Sequence, residues 1–296
     1  MFLPLPCGCR TFSNDKALKG EPQVSVDPRV IAALETQAKE IRRDVVEMVY
    51  RANSGHPGPA LSMTDIITAL YFHVLRVDPA NPSWPDRDRL IVSKGHACPA
   101  VYAALAHKGF FPREWLWTFR HLGTKLQGHP DMRKTPGIDM TSGSLGHGLS
   151  AGIGMALAGK LDGRDYTVYV ILGDGESQEG IVWEAALTAP NRGLDNLVAI
   201  VDRNHFQSGG STDDIMPLEP FKEKWEAFGW RCLEMDGHDM KAIIDVLEEA
   251  KASDRPAIII AHTVKGKGVS FMENDNLWHM HVPTKEQYEQ AMAELA

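Results

Sequence analysis

The chain has 296 residues, a formal net charge of −8 and 43% hydrophobic content. That length accommodates one large or two ordinary domains with a real core. The acidic balance and the lack of a Lys/Arg run argue against a nucleic-acid-binding surface, and no apolar stretch approaches the roughly 18–20 residues that span a bilayer.

In chain order, residues 1–26 read as an irregular leader; "MFLPLPCGCR" is too short, too proline-broken and too poor in basic residues for a signal peptide. Of the four cysteines, Cys7 and Cys9 lie in this leader and match no second zinc half-site, while Cys98 and Cys232 fall in predicted core elements. Reduced thiols in a cytoplasmic protein are expected. Residues 28–52 carry apolar positions at helical spacing behind the cap Asp27-Pro28. A second helix is predicted to start near Ser62 or Thr64, and "PANPSWPDRDR" is a proline-rich loop feeding the short strand "LIVS". "CPAVYAALAHKG" reads as a helix ending in glycine. A Gly/Ser/Thr-rich loop from 135 becomes a small-residue helix over about 147–160.

The remainder alternates: strand "YTVYVIL", helix "SQEGIVWEAALTAPN", strand "NLVAIVD", helix "LEPFKEKWEAFG", strand "WRCLEMD", helix "DMKAIIDVLEEAKA", strand "PAIIIAHT". Near-continuous apolar strands in this order predict one doubly wound α/β domain over 27–296, its mostly parallel sheet covered by helices on both faces.

In such sheets ligands sit beyond the carboxyl ends of the strands. "YTVYVIL" runs into "GDGESQEG", which puts Asp174 between two glycines at one such end. The next strand runs into "DRNHF", so Asn204, 30 residues after Asp174, stands at the neighbouring end, since one βαβ crossover takes about 30 residues. A carboxylate and an amide oxygen side by side suit Mg²⁺ or Ca²⁺. Gly175 is expected to open a helix whose first N–H groups receive a phosphate, the glycines letting a bulky anion approach.

Gly-Asp-Gly followed about thirty residues later by Asn resembles the thiamin diphosphate motif, and the chain resembles the N-terminal, diphosphate-binding part of transketolases. The matching segments are "SGHPG", "NPSWPDRDRLIVSKGHA", "LQGHPD", "TSGSLGHGLSAGIGMALA", "GDGESQEGIVWEAA", "NLVAIVDRN", "DGHD" and "TVKGKG", in the family's order from about residue 30. The resemblance implies thiamin diphosphate as cofactor, with Asp174, Asn204 and the backbone carbonyl of Phe206 holding Mg²⁺ (or Ca²⁺). His96 and His279 are expected on diphosphate or sugar oxygens. His56 and His129 are expected on substrate hydroxyls, where an imidazole exchanges protons near neutrality. Lys94 and Lys265 match lysines near the diphosphate, and Gly143 and Leu145 match residues lining the cofactor rings. Glu179 and Glu184, on the helix after the motif, match glutamates at the family's subunit contact, where they are proposed to relay protons.

The glutamate that activates the aminopyrimidine and the arginines that clamp sugar phosphates belong, in the family, to a following pyrimidine-binding domain. The chain therefore reads as the N-terminal subunit of a split transketolase, or a fragment. A C-terminal partner chain in a heterotetramer, sugar phosphate substrates and pentose phosphate metabolism are expected. One departure stands out: where the family has glycine after the motif histidine, this chain has Met280 and then His281, a rival to His279. Alternatives that stay open are a modified sugar, another thiamin diphosphate reaction such as deoxyxylulose phosphate synthesis, and a non-catalytic cofactor-binding protein.

Overall fold

A computed structural model describes residues 26–296. The predicted leader, Cys7 and Cys9 lie outside the described residues, apart from Val26. Helix α1 (Pro28–Ala52) starts at Asp27, whose Oδ1 accepts the Arg29 N–H at 2.9 Å, and ends at Asn53 in the left-handed region (φ 45°). Leu34, Ala38, Ile41, Val45 and Val49 form its buried stripe, the spacing of one helix face.

The helix predicted to start near Ser62 or Thr64 starts at Thr64, and a short helix that the sequence did not reveal precedes it. Residues Pro57–Ser62 form α2 and Thr64–Ala69 form α3, broken at Met63; a π-type turn, Leu70–Val74, follows. Pro57 stands in the first turn of α2, where a proline lacks nothing, because the helix leaves that N–H unpaired anyway. Strand β1 (Arg89–Val92) leads to α4 (Cys98–Lys108), which ends at Gly109 with φ 97°, and α5 spans His147–Leu161.

The rest of the chain is β2 (Val168–Gly173), α6 (Gly180–Asn191), β3 (Leu197–Arg203), the hairpin β4 (Phe206–Gln207) and β5 (Gly210–Ser211), α7 (Thr212–Ile215), α8 (Phe221–Ala227), β6 (Arg231–Asp236), α9 (Met240–Lys251), β7 (Ala257–His262) and α10 (Lys285–Glu294). The main sheet has the order β1-β2-β3-β7-β6, every pair parallel. Alternate residues of each central strand serve opposite cores. Tyr169, Ile171, Val198 and Ile200 pack with α1, α3, α4 and α9, whereas Val170, Leu172, Ala199 and Val201 pack with α5, α6 and α8. Burial on both faces is why these strands read as apolar runs. The return from β6 to β7 reverses direction across the sheet, and a right-handed crossover then puts α9 on the face opposite α6 and α8. Strand β6 is an edge strand, with only Met235 fully buried. Cys98 is buried and Cys232 half-buried, both as free thiols.

Gly175 does not open an α-helix. The chain after Asp174 makes a 3-10 turn, Gly175–Gln178; Glu179 is then extended (φ −72°, ψ 130°), and α6 begins at Gly180. The hairpin crowds this turn: a Cβ on Gly175 would lie 2.6 Å from Gln207 Cβ. Among the described residues, no helix is long and apolar enough to cross a membrane.

Candidate active site

Parallel pairing aligns the strand ends. Gly173 of β2 pairs with Asp202 of β3, and Asp202 with Ala261 of β7. Asp174 and Asn204 therefore leave the sheet as neighbours, at the floor of a cavity of about 420 Å³. Every residue given a role in the sequence analysis lines this cavity except Glu184.

Asp174 is 1% exposed. Its Oδ1 accepts the Gly175 N–H at 2.8 Å, and its Oδ2 accepts the His205 N–H at 2.5 Å and Arg203 Nη1 at 3.2 Å. Burial, then the neighbouring Asp202, raises its carboxyl to about 6 despite Arg203 and the two amides. Such a carboxylate gains from an added cation. Asn204 donates its Nδ2 to Asp202 Oδ2 at 3.2 Å, while its Oδ1 accepts the Phe206 N–H at 3.1 Å. The Phe206 carbonyl oxygen lies 3.6 Å from the position of a Cβ on Gly175, in the same turn. Carboxylate, amide and carbonyl oxygens on two adjacent turns are hard donors and fit Mg²⁺ or Ca²⁺. Among the described residues, no cluster of three or more His, Cys, Asp or Glu side chains offers a competing metal site.

Three imidazoles from distant segments stand together on this cavity. Ring centroids are 5.1 Å apart for His56 and His96, 5.2 Å for His96 and His279, and 5.5 Å for His56 and His279. Burial, helped by Arg120, lowers His56 to about 4; burial, helped by Lys265, lowers His279 to about 3; His96 falls well below its ordinary value. Lys265 Nζ donates to His279 Nδ1 at 3.1 Å, and Arg120 Nη2 approaches His56 Nδ1 at 3.5 Å. A donor facing Nδ1 makes that nitrogen the acceptor, so both neutral rings carry their proton on Nε2. His129 is exposed, its Cδ2 3.6 Å from where a Cβ on Gly143 would stand. Leu145 is half-buried on the wall and belongs to neither apolar core.

The two lysines differ. Lys265 is 1% exposed, donates to Asn276 Oδ1 at 2.6 Å, and is lowered to about 8 by burial against the pull of Asp174. Lys94 also lines the cavity but is paired with Asp202, and donates to the Pro59 carbonyl at 2.9 Å. His281 packs edge-on against Trp278, outside the cavity lining, whereas His279 lines the cavity. Glu179 caps α6 at the cavity rim instead of riding on the helix; Glu184 is on α6, exposed, and away from the cavity.

Sequence reasoning missed four charged residues of the site. Asp202 collects Lys94, Ser62, Thr263 and Asn204. Arg203, 2% exposed, joins Asp174 to Thr212 and Glu219. Arg120 stands between Ser54 and His56 with a left-handed backbone (φ 61°). Glu176 lies buried behind the Gly-Asp-Gly turn. The available signal was a charged residue inside an otherwise apolar strand end, "VDRN", since such groups are rarely buried without partners.

Comparison with known proteins agrees with this geometry. The family description "Transketolase, thiamine diphosphate binding domain" matches residues 34–292. A 6-deoxy-6-sulfo-D-fructose transketolase subunit from Clostridium sp. (strain MSTE9) is 49% identical over 88% of this chain and 96% of its own length. An apulose-4-phosphate transketolase subunit from Phocaeicola vulgatus is 47% identical over 90% of this chain and 95% of its own length. The crystal structure of transketolase from Campylobacter jejuni superposes with a TM-score of 0.85 at 36% identity, over 90% of this chain but only 43% of that one. With the sheet, the strand-end carboxylate–amide pair and these matches in agreement, the chain belongs to the transketolase family, through its thiamine diphosphate-binding domain.

Proposed function

We propose that the chain is the cofactor-binding subunit of a two-chain transketolase, which moves a two-carbon ketol group from a ketose to an aldose. The observation that carries this reading is the single cavity lined by Asp174, Asn204 and Phe206 together with the clustered imidazoles of His56, His96 and His279. Thiamine diphosphate bound there supplies the nucleophilic carbon that cleaves a ketose beside its carbonyl.

The residues of this chain divide the remaining work. Asp174, Asn204 and the Phe206 carbonyl hold Mg²⁺ (or Ca²⁺), and Lys265 and Lys94 offset the diphosphate charge that one divalent ion leaves over. Gly175 leaves room for the phosphates. Gly143 and Leu145 pack on the cofactor rings. His56 and His279 offer Nε2–H groups to sugar oxygens, with His96 and His129 beside them, and neutral imidazoles can accept protons as well as donate hydrogen bonds. Glu179, at the rim, meets the partner chain.

Two relatives matched over at least 95% of their own length are named as subunits, which supports a C-terminal partner chain carrying the pyrimidine-binding half. Two copies of each chain, in the cytoplasm, are the proposed assembly. The names of those relatives include a sulfonated and a phosphorylated sugar, which favours a donor with an anionic terminus. The test is ketol transfer from xylulose 5-phosphate to ribose 5-phosphate, and from 6-deoxy-6-sulfofructose, by this chain with and without its partner. Transfer only by the pair supports the reading; full turnover by this chain alone overturns it.

A further inference from the structure

Glu176 is 3% exposed, yet its carboxylate is shared by three separate segments of chain. Its Oε1 accepts the Gly146 N–H at 2.6 Å and the Ser93 hydroxyl, and its Oε2 accepts the Gly173 N–H at 2.9 Å. Ser93 Oγ in turn accepts the Gly148 N–H at 3.1 Å. Each anchor adjoins a wall of the cavity. Gly173 precedes Asp174, Ser93 precedes Lys94 and lies three residues before His96, and Gly146 follows Leu145.

We infer that Glu176 is a positioning residue, one that holds these three walls in register so that the metal anchor, the lysine–histidine loop and the Leu145 wall meet a diphosphate cofactor together. This inference rests on the function proposed above for the cofactor itself, but the clasp can be measured without it.

Two further observations support it. The contact between Ser93 and α5 leaves no slack: a Cβ on Gly148 would lie 2.4 Å from both Ser93 Cβ and Oγ. Gly146, the N-cap of α5, has φ 81°, and a Cβ there would lie 2.5 Å from Ile181 Cγ2, so the loop reaches the carboxylate by a backbone path that side chains rarely adopt. A carboxylate at the N-terminus of this 15-residue helix is also favoured by the helix dipole. A neutral amide at 176 keeps the size but turns its NH2 toward an N–H or hydroxyl that needs an acceptor. One of the three segments must then let go.

The test uses Glu176→Gln, with Ser93→Ala as a milder variant removing one arm. The first readout is amide hydrogen exchange in the chain itself. Faster exchange at Gly146, Gly148 and Gly173, with the melting temperature, the β2 amides before Gly173 and the β3 amides unchanged, is expected. The second is calorimetry with Mg²⁺ and thiamine diphosphate in the presence of the partner chain. Affinity is expected to fall about 10- to 100-fold, with kcat recovering at saturating cofactor. Unchanged exchange at the three glycines, or a general loss of protection and melting temperature, overturns the assignment. A wild-type assembly that binds no thiamine diphosphate would sink the proposed function, and the exchange result would still decide the clasp.

Discussion

His56 and His279, from opposite ends of the chain, meet edge to face with ring centroids 5.5 Å apart, and each has a cation near its Nδ1. Burial with Arg120, His129 and Lys265 nearby holds His56 at about 4, and burial with Lys265, His56 and Lys94 holds His279 at about 3. Both are neutral in the folded chain at pH 6, whereas the unfolded chain binds protons below about 6.5. The stability they contribute is therefore fully present above that pH and is lost as pH falls toward 4 and then 3. Thermal melts of the cofactor-free chain should fall by roughly 5–10 °C between pH 7 and pH 4.5, and the double variant His56→Gln, His279→Gln should flatten that slope. An equal slope in the variant would show that other groups carry the dependence.

Lys94 and Lys265, both buried, should differ sharply in what their removal costs the fold. Burial pushes Asp202 up, but Lys94 with the Ser62 and Thr263 hydroxyls outweighs it and holds the carboxyl below its usual range. Lys94→Met leaves that fully buried carboxylate without its cation, and urea unfolding should show a loss of about 3–5 kcal/mol. Lys265 meets the neutral groups Asn276 and His279. Lys265→Met should change stability by less than about 1 kcal/mol while weakening cofactor binding. Comparable destabilisation by both changes would refute the distinction.

Asp174→Asn should abolish metal-dependent cofactor binding, a loss of about 100-fold or more. The fold should persist, because the amide removes a charge that burial disfavours and Arg203 keeps Glu219 and Asp213. Phe206→Ala should leave the metal in place, since only its carbonyl is used. Titration calorimetry with Mg²⁺ and thiamine diphosphate on the assembled enzyme measures both. Unaltered affinity in the Asn variant would remove Asp174 from the metal site.

Glu179 is exposed at the cavity rim. Glu179→Gln should leave the melting of the isolated chain within about 0.5 kcal/mol of wild type and should lower turnover of the assembled enzyme. Full turnover by the assembled variant would take Glu179 out of the proposed subunit contact.

The parallel sheet was legible because strands buried on both faces must be apolar along their length, and the helices between them carry their own periodicity. The pairing of Asp174 with Asn204 was legible for a similar reason, as a crossover of ordinary length returns the chain to the adjacent strand. Those features depend on local pattern. The start of α2 at Pro57 and the 3-10 turn after Asp174 were not legible, because each packs against a distant segment so closely that a Cβ would not fit, at Gly58 against Trp278 and at Gly175 against Gln207.

The sequence alone thus determined the sheet, the strand-end site and the residue types that line it. Tertiary structure alone decided which charges meet. It sent Lys94 to Asp202, brought Arg203 to Asp174, put His279 and not His281 on the cavity wall, and joined Ser93, Gly146 and Gly173 through Glu176. A buried charge must find its partner wherever packing brings one, and the distance along the chain carries no record of that choice.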